Sequence, residues 1–364
     1  MFLKYKPNAD EVIGRLKSFW RQGSNHIIVI VKLPNPDFDA YIKTHCPIPK
    51  DVLGLPDLES YFRQWDSLLK GKEQEDDDTL PVAYLHPFDQ GTIPGCLGAE
   101  VSVFEDLKDG RMWSMSEPLL ESWEQLPDLE FDSSSIWLSR LKEATDYFVR
   151  RASGRFCLGP IITIDGLNLA VALRGAKNAY LDIYDHPEEL QQLMELGLKW
   201  NIAVEELQRE VIGTYNGGVY SFWGGWVPNR TAAMSVDAYG LCDVWVYREL
   251  GRKYHQQMID YFGGGIFHLH GNARHLLPEL AKLQGVTGIY VGDDGASVRA
   301  FDDLVNIRRQ IPSIPLGVDC KSDELLRGIE EGNLPGDIMY VTTAQDRDEA
   351  RKITARAREY CPKI

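Results

Sequence analysis

Gly263-Gly264-Gly265-Ile266-Phe267-His268-Leu269-His270-Gly271-Asn272 reads as a buried strand that ends in two histidines and runs into a helix start. Residues two apart in a strand point the same way, so His268 and His270 aim both imidazoles at one spot beyond the strand's C-terminal end. Gly271 lets the chain turn there, and Asn272 is a residue type that caps the next helix. One strand feeding one helix is the unit to look for elsewhere in the chain.

The unit recurs. Short β-branched or aromatic runs bounded by turn residues predict strands at 27–33, 82–85, 156–163, 219–223, 265–269, 288–291, 314–317 and 338–341. Apolar residues at helical spacing predict helices at 134–151, 187–212, 243–261, 272–283, 298–310, 322–331 and 346–360. Repeated strand-helix order implies parallel strands joined by right-handed crossovers. Eight strands over this length favour a closed (β/α)8 TIM barrel over an open doubly wound sheet, and no Gly-x-Gly-x-x-Gly follows the first strand to argue for dinucleotide binding. The early part of the chain is less regular. We divide the chain into an N-terminal extension over residues 1–80, packed on the barrel, and a β/α barrel over 81–364, together one domain.

The 364 residues are 44% hydrophobic and 26% charged, as in a globular protein. A net charge of −15 argues against a nucleic-acid partner, which would need a positive stripe, and the basic residues do not form one. No run approaches a membrane span and the N-terminus lacks a signal-peptide core, so a cytoplasmic location is expected. The acidic run Glu73-Gln74-Glu75-Asp76-Asp77-Asp78 reads as a solvated loop that binds nothing. Six scattered cysteines, with no Cys-x-x-Cys, fit reduced thiols packed in the core.

Barrel enzymes gather their sites at the C-terminal ends of strands, and polar residues collect there. His86, Asp89 and Gln90 follow the second predicted strand, Asp165 and Asn168 the third, and Trp223, Trp226 and Asn229 the fourth. His268 and His270 close the fifth, Asp293 and Asp294 follow the sixth, Asp319 and Cys320 the seventh, and Thr342, Thr343 and Gln345 the eighth.

Three readings stay open for the histidines: core residues satisfied by backbone, a zinc site with His268, His270 and a third ligand such as Cys320 or an aspartate, or metal-free proton transfer and anion binding. Asp293-Asp294 is a site element, with Asp293 preferred, or a helix-capping turn. The aromatic group Tyr220, Phe222, Trp223, Trp226 and Tyr239 is core and rim packing or a stacking pocket.

Several segments together resemble the uroporphyrinogen decarboxylase superfamily, which includes zinc-dependent methyltransferases acting with corrinoid proteins. His268-Leu269-His270-Gly271-Asn272 is similar to its His-x-Cys-Gly-Asn signature. Leu158-Gly159-Pro160, Tyr184-Asp185-His186-Pro187-Glu188, Val236-Asp237-Ala238-Tyr239-Gly240 with Tyr247-Arg248-Glu249, and Leu316-Gly317-Val318-Asp319 resemble further family segments. The resemblance implies a β/α barrel and site roles for His268, His270 and Asp237; strand-end position adds Asp293 as a catalytic candidate, and strand-end position and aromatic clustering make His86, Asp89, Trp223, Trp226, Asn229, Tyr239 and Asp294 candidate substrate contacts. The resemblance also implies zinc and a corrinoid protein partner.

There are departures. Residues 27–56 hold nothing like the decarboxylase's Arg-Gln-Ala-Gly-Arg segment, which turns the reading toward the methyltransferase branch. His270 stands where that branch has cysteine, and Met339-Tyr340-Val341-Thr342-Thr343-Ala344-Gln345 lacks its late cysteine. The alternatives are a metal-free decarboxylase or lyase acting on a carboxylate and a noncatalytic ligand-binding relative.

Overall fold

The computed structural model describes residues 3–164, 166–296 and 298–362. Eight parallel strands form the barrel: β1 Ile27–Lys32, β2 Val82–Ala83, β3 Cys157–Leu158, β4 Ala232–Ser235, β5 Gly265–Leu269, β6 Val286–Val291, β7 Leu316–Asp319 and β8 Ile338–Thr343. Six make one sheet in the order β1-β8-β7-β6-β5-β4, and β2 pairs with β3 apart from them. Helices connect successive strands, among them Pro187–Ile212, Arg252–Phe262 and Ser322–Glu331, and Arg347–Glu359 follows the last strand. Pro187 at the first helical turn, with Glu188 and Glu189 beside it, suits the donor-rich, positive end of a helix.

Strand alternation divides the core in two. Val29, Phe267, Ile289, Val318 and Tyr340 face outward and pack on the surrounding helices. Ile28, Ile266, Met339 and Val341 face inward, against Leu16 and Phe19 of helix α1, Ala9–Phe19. Among the described residues, no helix is long and apolar enough to cross a membrane.

Three expectations change. Residues 219–223 are not the fourth barrel strand. Gly218–Ser221 and Gly225–Pro228 form an antiparallel hairpin that packs Val219 and Trp226 among the inward-facing residues. The chain can reverse because Gly224 and Gly225 follow Trp223, Gly225 holding a φ of +61°, and because Trp226-Val227 supplies a second apolar arm. The fourth barrel strand is the weakly patterned Ala232–Ser235, recruited by its pairing with β5.

The barrel also starts earlier than residue 81. Ile27–Lys32 pairs along its length with β8, so the first 80 residues contain a barrel strand.

Nor is the acidic run wholly solvated. Asp77 and Asp78 are 2% exposed. Their carboxylates accept from Val31 N at 2.8 Å and Val29 N at 3.0 Å, so they satisfy the β1 edge that faces away from β8. Lys6 Nζ, fully buried, lies 3.1 Å from Asp77 Oδ1, and Arg15 Nε lies 2.8 Å from Asp78 Oδ1. Like charges in sequence are tolerated because each meets its own cation.

Candidate functional site

β5 places its residues as the two-residue period requires. Ile266 and His268 face the barrel interior, and Phe267 and Leu269 are fully buried on the other side. Gly271 is a close-approach position: a Cβ there would sit 2.3 Å from Ala296 Cβ, while its N–H donates to Asp294 O at 2.8 Å. Asn272 caps nothing; it lies inside the 3-10 turn Gly271–Leu276, whose N-terminus has no side-chain cap.

His268 is clamped between aromatic rings. Trp223, from the tip of the hairpin, stacks on it at 5.1 Å and 9°, and Tyr290 of β6 lies on it at 6.1 Å and 27°. Burial, then the adjacent His270 charge, pushes the His268 imidazole below its ordinary pKa. Tyr290 is held by a hydroxyl hydrogen bond to Asp319 Oδ2 at 2.7 Å, and Lys32 Nζ lies 3.7 Å from the other Asp319 oxygen.

His270 has the opposite setting. Its ring meets His268 edge-on at 4.7 Å, Nδ1 contacts Asp294 Oδ2, and Nε2 lies 3.4 Å from Asp237 Oδ1. Asp237 first, with Asp294 adding to it, pushes the His270 pKa up to about 9. Two histidines 4.7 Å apart are thus driven toward different protonation states, one neutral and one cationic.

One donor atom each from Asp237, His268 and His270 lies within 4.8 Å of the others. Asp237 Oδ1 is buried and has no aligned hydrogen-bond partner, since the His270 contact is a charge pair only. Two imidazoles and one carboxylate are ligand types that zinc takes, so the residues fit that ion. Asp237 is aimed by its neighbours: Asn168 accepts from Ala238 N at 2.8 Å and donates to Ser235 Oγ at 3.2 Å.

Other expected site residues lie elsewhere. Asp293 faces away, accepting from Arg274 at 2.8 Å and from Ala300 N at 2.6 Å, so Asp294, not Asp293, reaches the histidines. Cys320 continues β7 on its outward side; burial pushes its thiol up to about 12, and it is outside the donor cluster.

Trp226 is buried, its indole donating to Tyr215 O at 2.7 Å. Asn229 donates to Gly263 O, ahead of β5 and so at the wrong end of the strand. Tyr239 is fully buried and accepts from Leu167 N. Asp165 lies outside the described residues.

His86 and Asp89 hold each other at 2.8 Å on the wall of a 570 Å³ cavity that also includes Trp65 and Phe222. Phe222 is next in sequence to Trp223, so the hairpin tip links that wall to His268. Asp237 borders a second cavity of 460 Å³ with Asn168 and Tyr180. Tyr290 and Lys32 were not singled out from sequence, although the inward alternation that places His268 applies equally to both strands.

A β/α barrel carrying a His-His-Asp group at the C-terminal ends of adjacent strands has the layout of a barrel enzyme. Among solved structures it is similar to a methyltransferase from Methanosarcina mazei, with a TM-score of 0.59 over 98% of both chains and 12% identity. This likeness establishes the fold. No protein-family model and no curated protein matches the chain.

Proposed function

We infer that this chain is a methyltransferase-type barrel enzyme working at Asp237, His268 and His270. The observation that carries the reading is the convergence of their three donor atoms within 4.8 Å on the active face of the barrel. A zinc ion held there would make a thiol or hydroxyl nucleophilic near neutral pH, which is what methyl transfer to such a group requires. Trp223 and Tyr290 fix the His268 plane, and Asp294 fixes His270 through Nδ1, leaving Nε2 directed toward Asp237. A corrinoid protein as methyl carrier belongs to the same proposal and rests on the sequence resemblance alone.

A second reading, a metal-free decarboxylase or lyase, draws on the split protonation of the pair. A cationic His270 can hold a substrate carboxylate while Asp237 stabilises developing positive charge.

Metal analysis of untagged protein decides between them. Near-stoichiometric zinc, lost in a folded His268→Ala/His270→Ala variant, is expected; equal and negligible metal in both proteins removes the zinc reading.

A further inference from the structure

A second histidine–carboxylate pair, His86 and Asp89, lies outside the Asp237-His268-His270 group, just beyond the C-terminal end of β2. His86 Nδ1 meets Asp89 Oδ2 at 2.8 Å, and Asp89 is anchored in turn because its Oδ1 accepts from Ile162 N at 3.1 Å. A carboxylate only accepts, so a neutral His86 carries its proton on Nδ1 and presents Nε2 as an acceptor. Packing holds the ring in that orientation: it stacks on Tyr84 at 5.7 Å and 29°, and Phe222 meets it edge-on at 5.3 Å. Nε2 has no hydrogen-bond partner among the described residues, yet it is reached by solvent and not sealed off, the His86 side chain being 20% exposed. An oriented, accessible acceptor is thus left free for a guest.

The space in front of it is the 570 Å³ cavity, within the size range of small-molecule sites. Its walls present the rings of Phe38, Tyr61, Trp65, Trp113 and Phe222 beside His86. Trp65 meets Tyr61 edge-on at 6.5 Å, so ring faces and ring edges both border the space, and an aromatic guest gains from each.

The charges of the lining are already matched. Asp89 is taken by His86 and Ile162 N, Asp109 holds the Arg111 guanidinium at 2.6 Å and accepts from its backbone N at 3.0 Å, and Asp106 accepts from Lys108 N at 2.8 Å. A charged guest finds no unmatched partner there, whereas an uncharged one leaves every pair intact.

We propose that this cavity binds an uncharged hydroxyarene, its ring against the aromatic walls and its hydroxyl donated to His86 Nε2. The assignment concerns binding and rests on neither zinc nor methyl transfer. His86 and Asp89 act as a recognition pair, the carboxylate fixing which nitrogen of the imidazole faces the guest.

Calorimetry on the intact protein at pH 8, with four ligands of one size, tests each part of this. 4-Methylphenol is the proposed class, 4-methylanisole has the ring without the donor, 4-methylcyclohexanol has the hydroxyl without the aromatic ring, and 4-methylbenzoate is anionic. We expect 4-methylphenol to bind about fivefold or more tighter than 4-methylanisole and about threefold or more tighter than 4-methylcyclohexanol, with 4-methylbenzoate weaker than the phenol. His86→Phe, which keeps a ring against Tyr84 and Phe222, should bring 4-methylphenol and 4-methylanisole to equal affinity. In a nitrogen-detected NMR spectrum His86 Nε2 should resonate as an unprotonated nitrogen and move when 4-methylphenol is added.

Equal binding of 4-methylphenol and 4-methylanisole to the intact protein overturns the role of Nε2 as acceptor, and so does a preference for the phenol that survives in a folded His86→Phe protein. Equal binding of the phenol and 4-methylcyclohexanol overturns the choice of an arene. Tightest binding of 4-methylbenzoate, or no binding of any of the four, overturns the proposal. The wild-type ranking stands as a test even where the variant fails to fold. Zinc content is a separate readout, so failure here and failure of the zinc reading are distinguishable.

Discussion

Asp237 and His270 oppose each other across two adjacent strands in register. Ser235 pairs with His268 in the β4–β5 ladder, and the site pair lies two residues beyond each, with Oδ1 and Nε2 3.4 Å apart. The parallel register therefore delivers a carboxylate to an imidazole without a dedicated loop. Because their mutual attraction holds a proton on His270, a metal ion must displace that proton to bind.

Zinc affinity of chelator-stripped protein should consequently rise with pH. One displaced proton corresponds to about tenfold in affinity per pH unit, continuing until His270 deprotonates at about 9. Competition against a fluorescent chelator at a series of pH values measures this. A flat profile from neutral pH to pH 9 would exclude His270 as a ligand that loses a proton.

The same proton contributes to stability in metal-free protein. The folded pKa of about 9 lies above the ordinary histidine value, so the contribution is fully present below about 6.5 and disappears as pH rises through 9. The His270 side chain is 36% exposed, so solvent screening reduces the contribution to about 1 kcal/mol. In urea unfolding, wild type should lose about that much more than His270→Gln between pH 6 and 9.5. Identical pH dependence in the two proteins would show that the ion pairs contribute nothing.

Trp223→Leu removes the ring stacked on His268 and admits water to an imidazole whose pKa is depressed first by burial. Its pKa should rise toward the ordinary value, which a ring-proton NMR titration of stripped protein reads directly. No movement, or a fall, would assign the depression to His270 alone.

Much of this site was legible in the sequence, because it depends on local periodicity. Strand alternation at 265–269 sets the His268 direction, and Gly271 marks the turn that carries His270 onward. What was not legible depends on partners distant in sequence. The 219–223 run has good strand chemistry, yet Trp20 donates to Trp226 O at 2.7 Å and the hairpin joins α1 in the barrel interior. Ala232–Ser235 has weak strand chemistry and becomes β4 through its neighbour β5. Local pattern favours Asp293 over Asp294, yet Arg274, 19 residues upstream, and Ala300 N, seven residues downstream, turn Asp293 away.

Cys320 provides a control for the metal assignment. Its thiol, pushed up to about 12 by burial and packed outside the barrel interior, should resist iodoacetamide in native protein at pH 8. Cys320→Ala should leave zinc stoichiometry unchanged and reduce stability modestly. Loss of zinc in that variant, with the fold intact by circular dichroism, would restore a thiolate ligand.

The acidic run makes the last test, because its burial was the least expected feature. Asp77 accepts from Val31 N and pairs with a Lys6 side chain that is fully buried, so Asp77→Ala leaves a strand N–H without a partner and a buried cation without its counter-charge, held only by the carbonyls of residues 75 and 77. Removing one member of a buried pair costs about 3 to 5 kcal/mol. Lys6→Met in the same chain removes the stranded charge but not the orphaned Val31 N–H, so it should recover only part of the loss. Urea unfolding of the single and double variants measures both steps. A near-neutral Asp77→Ala would mean that the β1 edge is satisfied in some other way, and full recovery in the double variant would leave no role for the carboxylate in capping that edge.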